Sequence, residues 1–251
     1  MIFAAGKGTR LKPLTDVIPK ALVPVGDKPL LQIVMQRLVD AGTDRVIVNV
    51  HHHAGQIKNM LGMMAKVYPC DIRVSDETEE LLETGGGIKK ARQLFRSNEP
   101  VLIHNCDILS NLDLSAFYRE SAQADAVAAL VVSERKTQRY LLFNKDMRLV
   151  GWTNIQTGEV KSPFPDVVKH NGKVGMDWGR EGLSMYAFSG MHCLSPKAFP
   201  LMDEWPDRFP IMDFYLKHCA DVEIKGVVKS DLKLLDVGKL DTLAEADKFI
   251  D

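Results

Sequence analysis

Hydrophobic and polar positions along the first half of the chain alternate between two periods. Met1–Ala5 is a short apolar run that stops at glycine, the pattern of a buried strand. After Pro29, the residues Leu30, Leu31, Ile33, Val34, Leu38 and Val39 recur at helical spacing, with Gly42 as the stop. Arg45–Val50 is short and β-branched and reads as a strand, Gln56–Ala65 as a helix, and Asp71–Ser75 as a strand. Gly86–Phe95 puts Ile88, Ala91, Leu94 and Phe95 on one helical face, and Val101–His104 is a buried strand running into Asn105-Cys106-Asp107. Strands that alternate with amphipathic helices predict βαβ units and a parallel sheet.

Beyond residue 125 the order changes. Ala126–Val132 predicts a strand, and Tyr140–Phe143 and Leu149–Thr153 flank a turn-rich Asn144–Arg148, which predicts a hairpin. Residues 154–182 carry Gly, Pro, Asp and Asn without a period and are expected to form a loop, a candidate substrate flap. Leu183–Gly190, 222–229 and 232–238 read as strands; Phe199–Met202, Ile211–Cys219 and Leu240–Ile250 read as helices. No internal repeat, low-complexity tract or linker interrupts the pattern. The expectation is one α/β domain over 1–251, with a mixed, mainly parallel central sheet flanked by helices.

Composition narrows the function. Thirty-two Lys and Arg against 33 Asp and Glu leave a net charge of −1 in 251 residues, so no nucleic-acid or membrane surface is expected. Cys70, Cys106, Cys193 and Cys219 are scattered, with neither zinc spacing nor a disulfide framework, which fits a reducing cytoplasm. No apolar run approaches 18 residues, and the first residues lack the basic segment of a secretory leader.

Basic residues with a purpose must therefore be local, and Gly6-Lys7-Gly8-Thr9-Arg10 is such a place. Phosphate binding needs backbone N–H groups aimed into a concavity, which glycine permits, and cations nearby; Arg10 and Lys20 offer those. By itself Gly-Lys-Gly reads first as a tight strand–helix turn with solvated charges. A Walker A loop is excluded because Gly8 follows Lys7, and the dinucleotide fingerprint fails at Leu11, which disfavours a nicotinamide oxidoreductase. His51-His52-His53 comes directly after a strand. Neighbours on an extended stretch face opposite sides, so the triplet reads as loop or nucleoside wall before metal site. Met60, Met63 and Met64 read as helix packing.

Longer stretches carry more information. FAAGKGTRLKPLT…PKALVPVGDKPLL, ELLETGGGIKKA, LIHNCDIL and LLDVGKLDTLAEA together resemble the sugar-1-phosphate nucleotidyltransferases over essentially the whole chain. LETGGGI and the short length resemble most the branch that uridylylates N-acetylmuramate 1-phosphate, and next the mannose-1-phosphate guanylyltransferases. Three positions depart from the family pattern: Cys106 inside Asn-x-Asp, Leu235 before Asp236, and Lys239 after Gly238. None removes a carboxylate.

The resemblance implies a Rossmann-like domain of the GT-A type, with 1–125 binding the nucleotide and 126–251 the sugar. It implies attack by a sugar 1-phosphate on the α-phosphorus of a nucleoside triphosphate, with pyrophosphate leaving and Mg²⁺ assisting. Asp107 and Asp236, each closing an apolar run, are the implied metal carboxylates, with helix capping as their alternative role. Arg10 is expected at the β- and γ-phosphates and Lys20 at the reaction centre. Ala5, Gly6, Gly8 and Thr9 are expected to cradle phosphate, and Gly85 and Gly86 to pass close to base or ribose. Asn105, Gly190 and, more weakly, Asp213 are implied on the sugar side. UTP is expected over GTP, and Lys169, His170, Lys173 and Arg180 are candidate partners for an acidic lactyl group. The oligomeric state, monomer or homodimer, stays open. A nucleotide-sensing module on the same fold is the rival reading; the complete charge set of Arg10, Lys20, Asp107 and Asp236 argues against it.

Overall fold

The computed structural model describes residues 1–229 and 231–250. In chain order its elements are β1 (Ile2–Phe3), β2 (Pro24–Val25), β3 (Lys28–Pro29), α1 (Leu30–Asp40), β4 (Arg45–Val50), α2 (Ala54–Met64), β5 (Asp71–Asp76) and α3 (Glu83–Ala91). Next come β6 (Val101–Asn105), β7 (Ile108–Ser110), α4 (Leu114–Gln123), β8 (Ala128–Ser133), β9 (Arg139–Phe143), β10 (Leu149–Asn154), β11 (Val160–Lys161) and α5 (Pro165–Val168). The chain closes through β12 (Ser184–Leu194), α6 (Ala198–Met202), α7 (Ile211–His218), β13 (Ile224–Val228), β14 (Leu234–Asp236) and α8 (Leu240–Ile250).

The first half builds parallel sheet, with β6, β1, β4 and β5 side by side. β12 then joins β6 in the antiparallel sense and carries β9, β10 and β11 beyond it, while β8 and β13 lie off β12. The whole is the expected mixed α/β sheet. Helices α1, α2, α4 and α8 pack one face through Leu30, Val34, Ile57, Leu61, Phe117 and Ala246. α3, α6 and α7 pack the other through Ile88, Phe199, Phe214 and Tyr215. These side chains are almost wholly removed from water, which drives the three layers together.

β12 changes partners midway. Its pairing with β8 shifts register between Phe188 and His192, and Gly190 within that stretch has φ of 73°. A Cβ there would lie 2.7 Å from Ile108 Cγ1 and 3.0 Å from Asn105 Nδ2. Glycine is therefore needed for both the dihedral and the close approach.

Several stretches differ from expectation, the short strands β2, β3 and β7 among them. Residues 154–182 are not one loop: β11 and α5 stand in it, and Val160, Val167 and Trp178 pack with Leu142 in a small core of their own. A two-residue strand and a single helical turn are too short to leave a period. α3 begins at Glu83, three residues before the helical pattern does, so all three glycines lie inside it. α4 has no counterpart among the expected elements, although Asp113 caps it by accepting the Ala116 N–H at 2.8 Å.

Candidate active site

β1 ends at Phe3 at the C-terminal edge of the parallel sheet, where α/β folds place their ligands. A buried polar chain holds the loop that leaves it. The Ala4 N–H donates to Asn49 Oδ1 at 2.8 Å, and Asn49 Nδ2 donates to Glu77 Oε1 at 2.8 Å. Glu77 Oε2 accepts the Leu82 N–H at 3.2 Å. Glu77 is fully buried, and burial raises its pKa against the opposing pull of the Asn49 bond. The opening loop and the start of α3 are thus tied through one carboxylate.

Gly8 sits at φ 64°, and its carbonyl accepts the Leu11 N–H at 2.9 Å and the Thr15 hydroxyl at 2.8 Å. A Cβ on it would meet Thr15 Cγ2 at 2.8 Å and Lys20 Cβ at 3.0 Å. Leu11 is buried and anchors the turn, which leaves Thr9 and Arg10 exposed at its tip. Lys20, between the buried Pro19 and Ala21, ion-pairs with Asp107.

Asp107 and Asp236 come together through a device apart from the main sheet. β7 and β14 form a two-stranded antiparallel ribbon in which Asp236 faces Ile108. The Val237 N–H donates to the Asp107 carbonyl at 2.8 Å, and Arg37 fastens β7 by donating to Ser110 Oγ at 3.1 Å and to the Leu112 carbonyl at 2.6 Å. Asp236 Oδ1 is buried and, among the described residues, has no hydrogen-bond partner. A Cβ on Gly238 would lie 2.7 Å from that oxygen and 2.7 Å from Arg10 Nη2. Arg10, Lys20, Asp107 and Asp236, separated by up to 226 positions, therefore border one spot.

That spot opens into a cleft of about 610 Å³, lined by Ala5, Gly6, Gly8, Thr9, Arg10, Lys20, Asn105 and Asp107 among others. Other expected positions lie elsewhere. Gly85 and Gly86 both donate their N–H to the Phe209 carbonyl, at 2.8 and 3.1 Å. A Cβ on either would run into Phe209 or Asp207, so the missing side chains admit the 207–209 segment. Leu81, Glu83 and Thr84 line the cleft in front of them. Gly190 presses on Asn105 from behind, and Asp213 lines a second, neighbouring cleft.

The three histidines part company. His51 Nδ1 hydrogen-bonds the Glu77 carbonyl at 2.6 Å, His52 Nε2 reaches the Thr15 carbonyl at 3.3 Å, and His53 stands at the N-cap position of α2 with φ 52°. Among the described residues no group of three or more His, Cys, Asp or Glu is arranged to hold a metal. The two aspartates nevertheless suit a hard divalent cation that keeps phosphate and water ligands. They offer oxygen ligands, and one buried oxygen lacks a partner among the described residues.

Sequence reading missed Asn49, Glu77 and Gly238. Asn49 did leave a signal, as the one amide within the β-branched run of β4. Glu77 left none among the acidic residues around it. Of the three departures, Cys106 is buried, and burial raises its thiol pKa. Leu235 faces Leu109 across the ribbon, and Lys239 closes a turn with Thr242.

A glycine-rich loop, two cations and two carboxylates thus gather beside the C-terminal edge of the parallel sheet, an arrangement with the charges a phosphoryl-transfer site needs. The family model for the nucleotidyl transferases matches residues 1–160, and the chain belongs to that family. It is 32% identical to the N-acetylmuramate alpha-1-phosphate uridylyltransferase of Caulobacter vibrioides, over 92% of this chain and 88% of the relative. It is 31% identical to the mannose-1-phosphate guanylyltransferase catalytic subunit beta of Drosophila pseudoobscura pseudoobscura, over 58% of this chain but only 40% of that one. The fold matches HddC from Yersinia pseudotuberculosis, solved complexed with GMP-PN, with a TM-score of 0.72, 23% identity, and coverage of 100% of this chain and 98% of that one. Among the described residues no helix is long and apolar enough to cross a membrane.

Proposed function

We propose that this chain makes a nucleotide sugar and pyrophosphate from UTP and N-acetylmuramate 1-phosphate or a closely related sugar 1-phosphate. The observation that carries the reading is that Arg10, Lys20, Asp107 and Gly238 line one cleft, with the buried Asp236 Oδ1, unpartnered among the described residues, packed against Gly238 just behind that lining. The near full-length relation to an N-acetylmuramate alpha-1-phosphate uridylyltransferase supports the choice of base and sugar.

The incoming phosphate and the triphosphate repel each other, so the chain's work is positioning and charge compensation. Asp107 and Asp236 would hold Mg²⁺, which when bound neutralises phosphate charge and orients the α-phosphorus. Lys20 leaves its ion pair with Asp107 for the phosphates at the reaction centre. Arg10, at the exposed tip of its turn, clamps the β- and γ-phosphates and stabilises the departing pyrophosphate. Ala5, Gly6, Gly8 and Thr9 supply backbone and hydroxyl contacts, and Gly85 and Gly86 shape the wall beside the base. Asn105 bonds a sugar or ribose hydroxyl and Gly190 fixes its position. In this division residues 1–125 serve the nucleotide and 126–251 the acceptor. The four free thiols suit the reducing cytoplasm, where nucleoside triphosphates are plentiful.

The test is a matrix of nucleoside triphosphates against sugar 1-phosphates with pyrophosphate as readout. UTP with N-acetylmuramate 1-phosphate is expected to be fastest. GTP with mannose 1-phosphate outpacing every UTP pairing would replace this assignment with the guanylyltransferase one, for which the Drosophila relative speaks.

A further inference from the structure

Beside the reaction cleft lies a second cleft of about 420 Å³, between the hairpin β9–β10, β12 and the start of α7. Its charges are Arg135, Arg139 and Lys161 against one carboxylate, Asp213. Its flat walls are Tyr140, Trp152 and Phe188. We propose that this second cleft is the part of the acceptor site that receives an anionic substituent on the sugar, the carboxylate of an acid-bearing sugar 1-phosphate, with Arg139 and Arg135 as its partners. The proposal rests on the acceptor being a sugar 1-phosphate.

Its two arginines are poorly engaged among the described residues. Among the described residues no carboxylate or carbonyl binds the Arg139 guanidinium. Arg135 makes one long bond, from Nη2 to the Phe188 carbonyl at 3.4 Å. Lys161 lies 5.4 Å over the Trp152 ring and 3.7 Å from Glu159. Asp213 forms no ion pair among the described residues. A guanidinium fork fits a carboxylate through two parallel bonds, and aromatic faces accept the methyl and C–H surface such a substituent brings.

The two clefts adjoin. Phe3 lines the first and Phe188 the second, and both rings pack on buried His192, at centroid distances of 6.4 and 5.6 Å. Pro210 lines the first, and Met212 and Asp213 the second. A sugar seated beside Asn105 thus has the second cleft across the Phe3–His192–Phe188 ring cluster. The cations expected for this task in 154–182 stand apart from both clefts, three of them beside acidic residues of their own segment. Lys169 pairs with Asp166 at 3.7 Å, His170 with Glu181 at 3.2 Å and Arg180 with Asp177 at 3.2 Å. None of them, nor Lys173, lines either cleft.

The experiment compares kcat/KM for N-acetylmuramate 1-phosphate with that for N-acetylglucosamine 1-phosphate, which lacks the lactyl acid, in the wild type, Arg139→Ala, Arg135→Ala and Arg139→Lys. Each alanine variant is expected to lose about 10- to 100-fold on the acidic acceptor, the worth of a charge-assisted bond, and to stay within about twofold on the neutral one. Arg139→Lys should recover part of the loss. Both positions are exposed, so folding should hold; thermal unfolding of each variant checks this. Equal loss on both acceptors, or none on the acidic one, would overturn the subsite while the enzyme assignment stands. Wild type that releases no pyrophosphate with either acceptor would overturn the functional reading first and the subsite with it.

Discussion

Gly238→Ala tests the geometry without deleting a charge. Its new Cβ would stand 2.7 Å from both Asp236 Oδ1 and Arg10 Nη2, about half an ångström or more inside ordinary contact. Arg10 is long and exposed and swings aside cheaply. Asp236 cannot: its side chain is short, its backbone is pinned opposite Ile108, and Oδ1 is already enclosed. The displacement therefore falls on the carboxylate. Misplacing a reacting group by ~1 Å costs on the order of 100-fold, so a half-ångström shift should cost about 10- to 100-fold in kcat. Gly238 does not have a positive φ, so no backbone penalty adds to this. Continuous pyrophosphate detection at saturating substrates gives kcat, and thermal unfolding serves as the control. A kcat within twofold of wild type at unchanged Tm would show that Asp236 does not act where this geometry puts it.

Asp107→Asn and Asp236→Asn should each lower turnover by roughly two or more orders of magnitude under limiting Mg²⁺, through the loss of a full charge beside the ion; near-normal rates would move the metal site elsewhere. Glu77→Gln offers one acceptor where Asn49 and Leu82 present two donors; it should cost about 1–3 kcal/mol, read as a Tm lowered by several degrees, and an unchanged Tm would show that the bridge holds nothing. Burial keeps the His104 and His192 imidazoles neutral, with pKa values lowered to about 4 and about 3, while the unfolded chain protonates them near 6.5. The unfolded chain thus binds more protons below pH 6.5, and stability falls as pH drops. His192→Gln should reduce the loss between pH 7.5 and 5 by about 2 kcal/mol in urea unfolding, and an unaltered pH slope would contradict this.

What the sequence made legible is what single segments encode. The loop from Ala5 to Arg10, Lys20 between its prolines, and the carboxylates that end apolar runs were all readable locally. The ribbon that joins Asp107 to Asp236 was not: 232–238 read as a strand, but β7 has three residues and no period, and the pairing spans more than a hundred residues. Nor was the Ala4–Asn49–Glu77–Leu82 chain, since nothing in a sequence says which buried polar groups meet. The glycines of α3 show the opposite difficulty. Their presence was plain, but their steric cause, the 207–209 segment, lies far along the chain. Likewise Lys169 and Arg180 stood out by composition, yet their carboxylate partners, Asp166 and Asp177, lie within the same lobe.

The central claim is that a sugar phosphate oxygen attacks the α-phosphorus and pyrophosphate leaves. N-acetylmuramate 1-phosphate carrying ¹⁸O in its phosphate, incubated with UTP, Mg²⁺ and the purified chain, tests it by mass spectrometry of both products. The account predicts nucleotide sugar and pyrophosphate in equal amounts, with all the label in the nucleotide sugar. Label in pyrophosphate, or UTP cleaved to UMP with no nucleotide sugar formed, would contradict it.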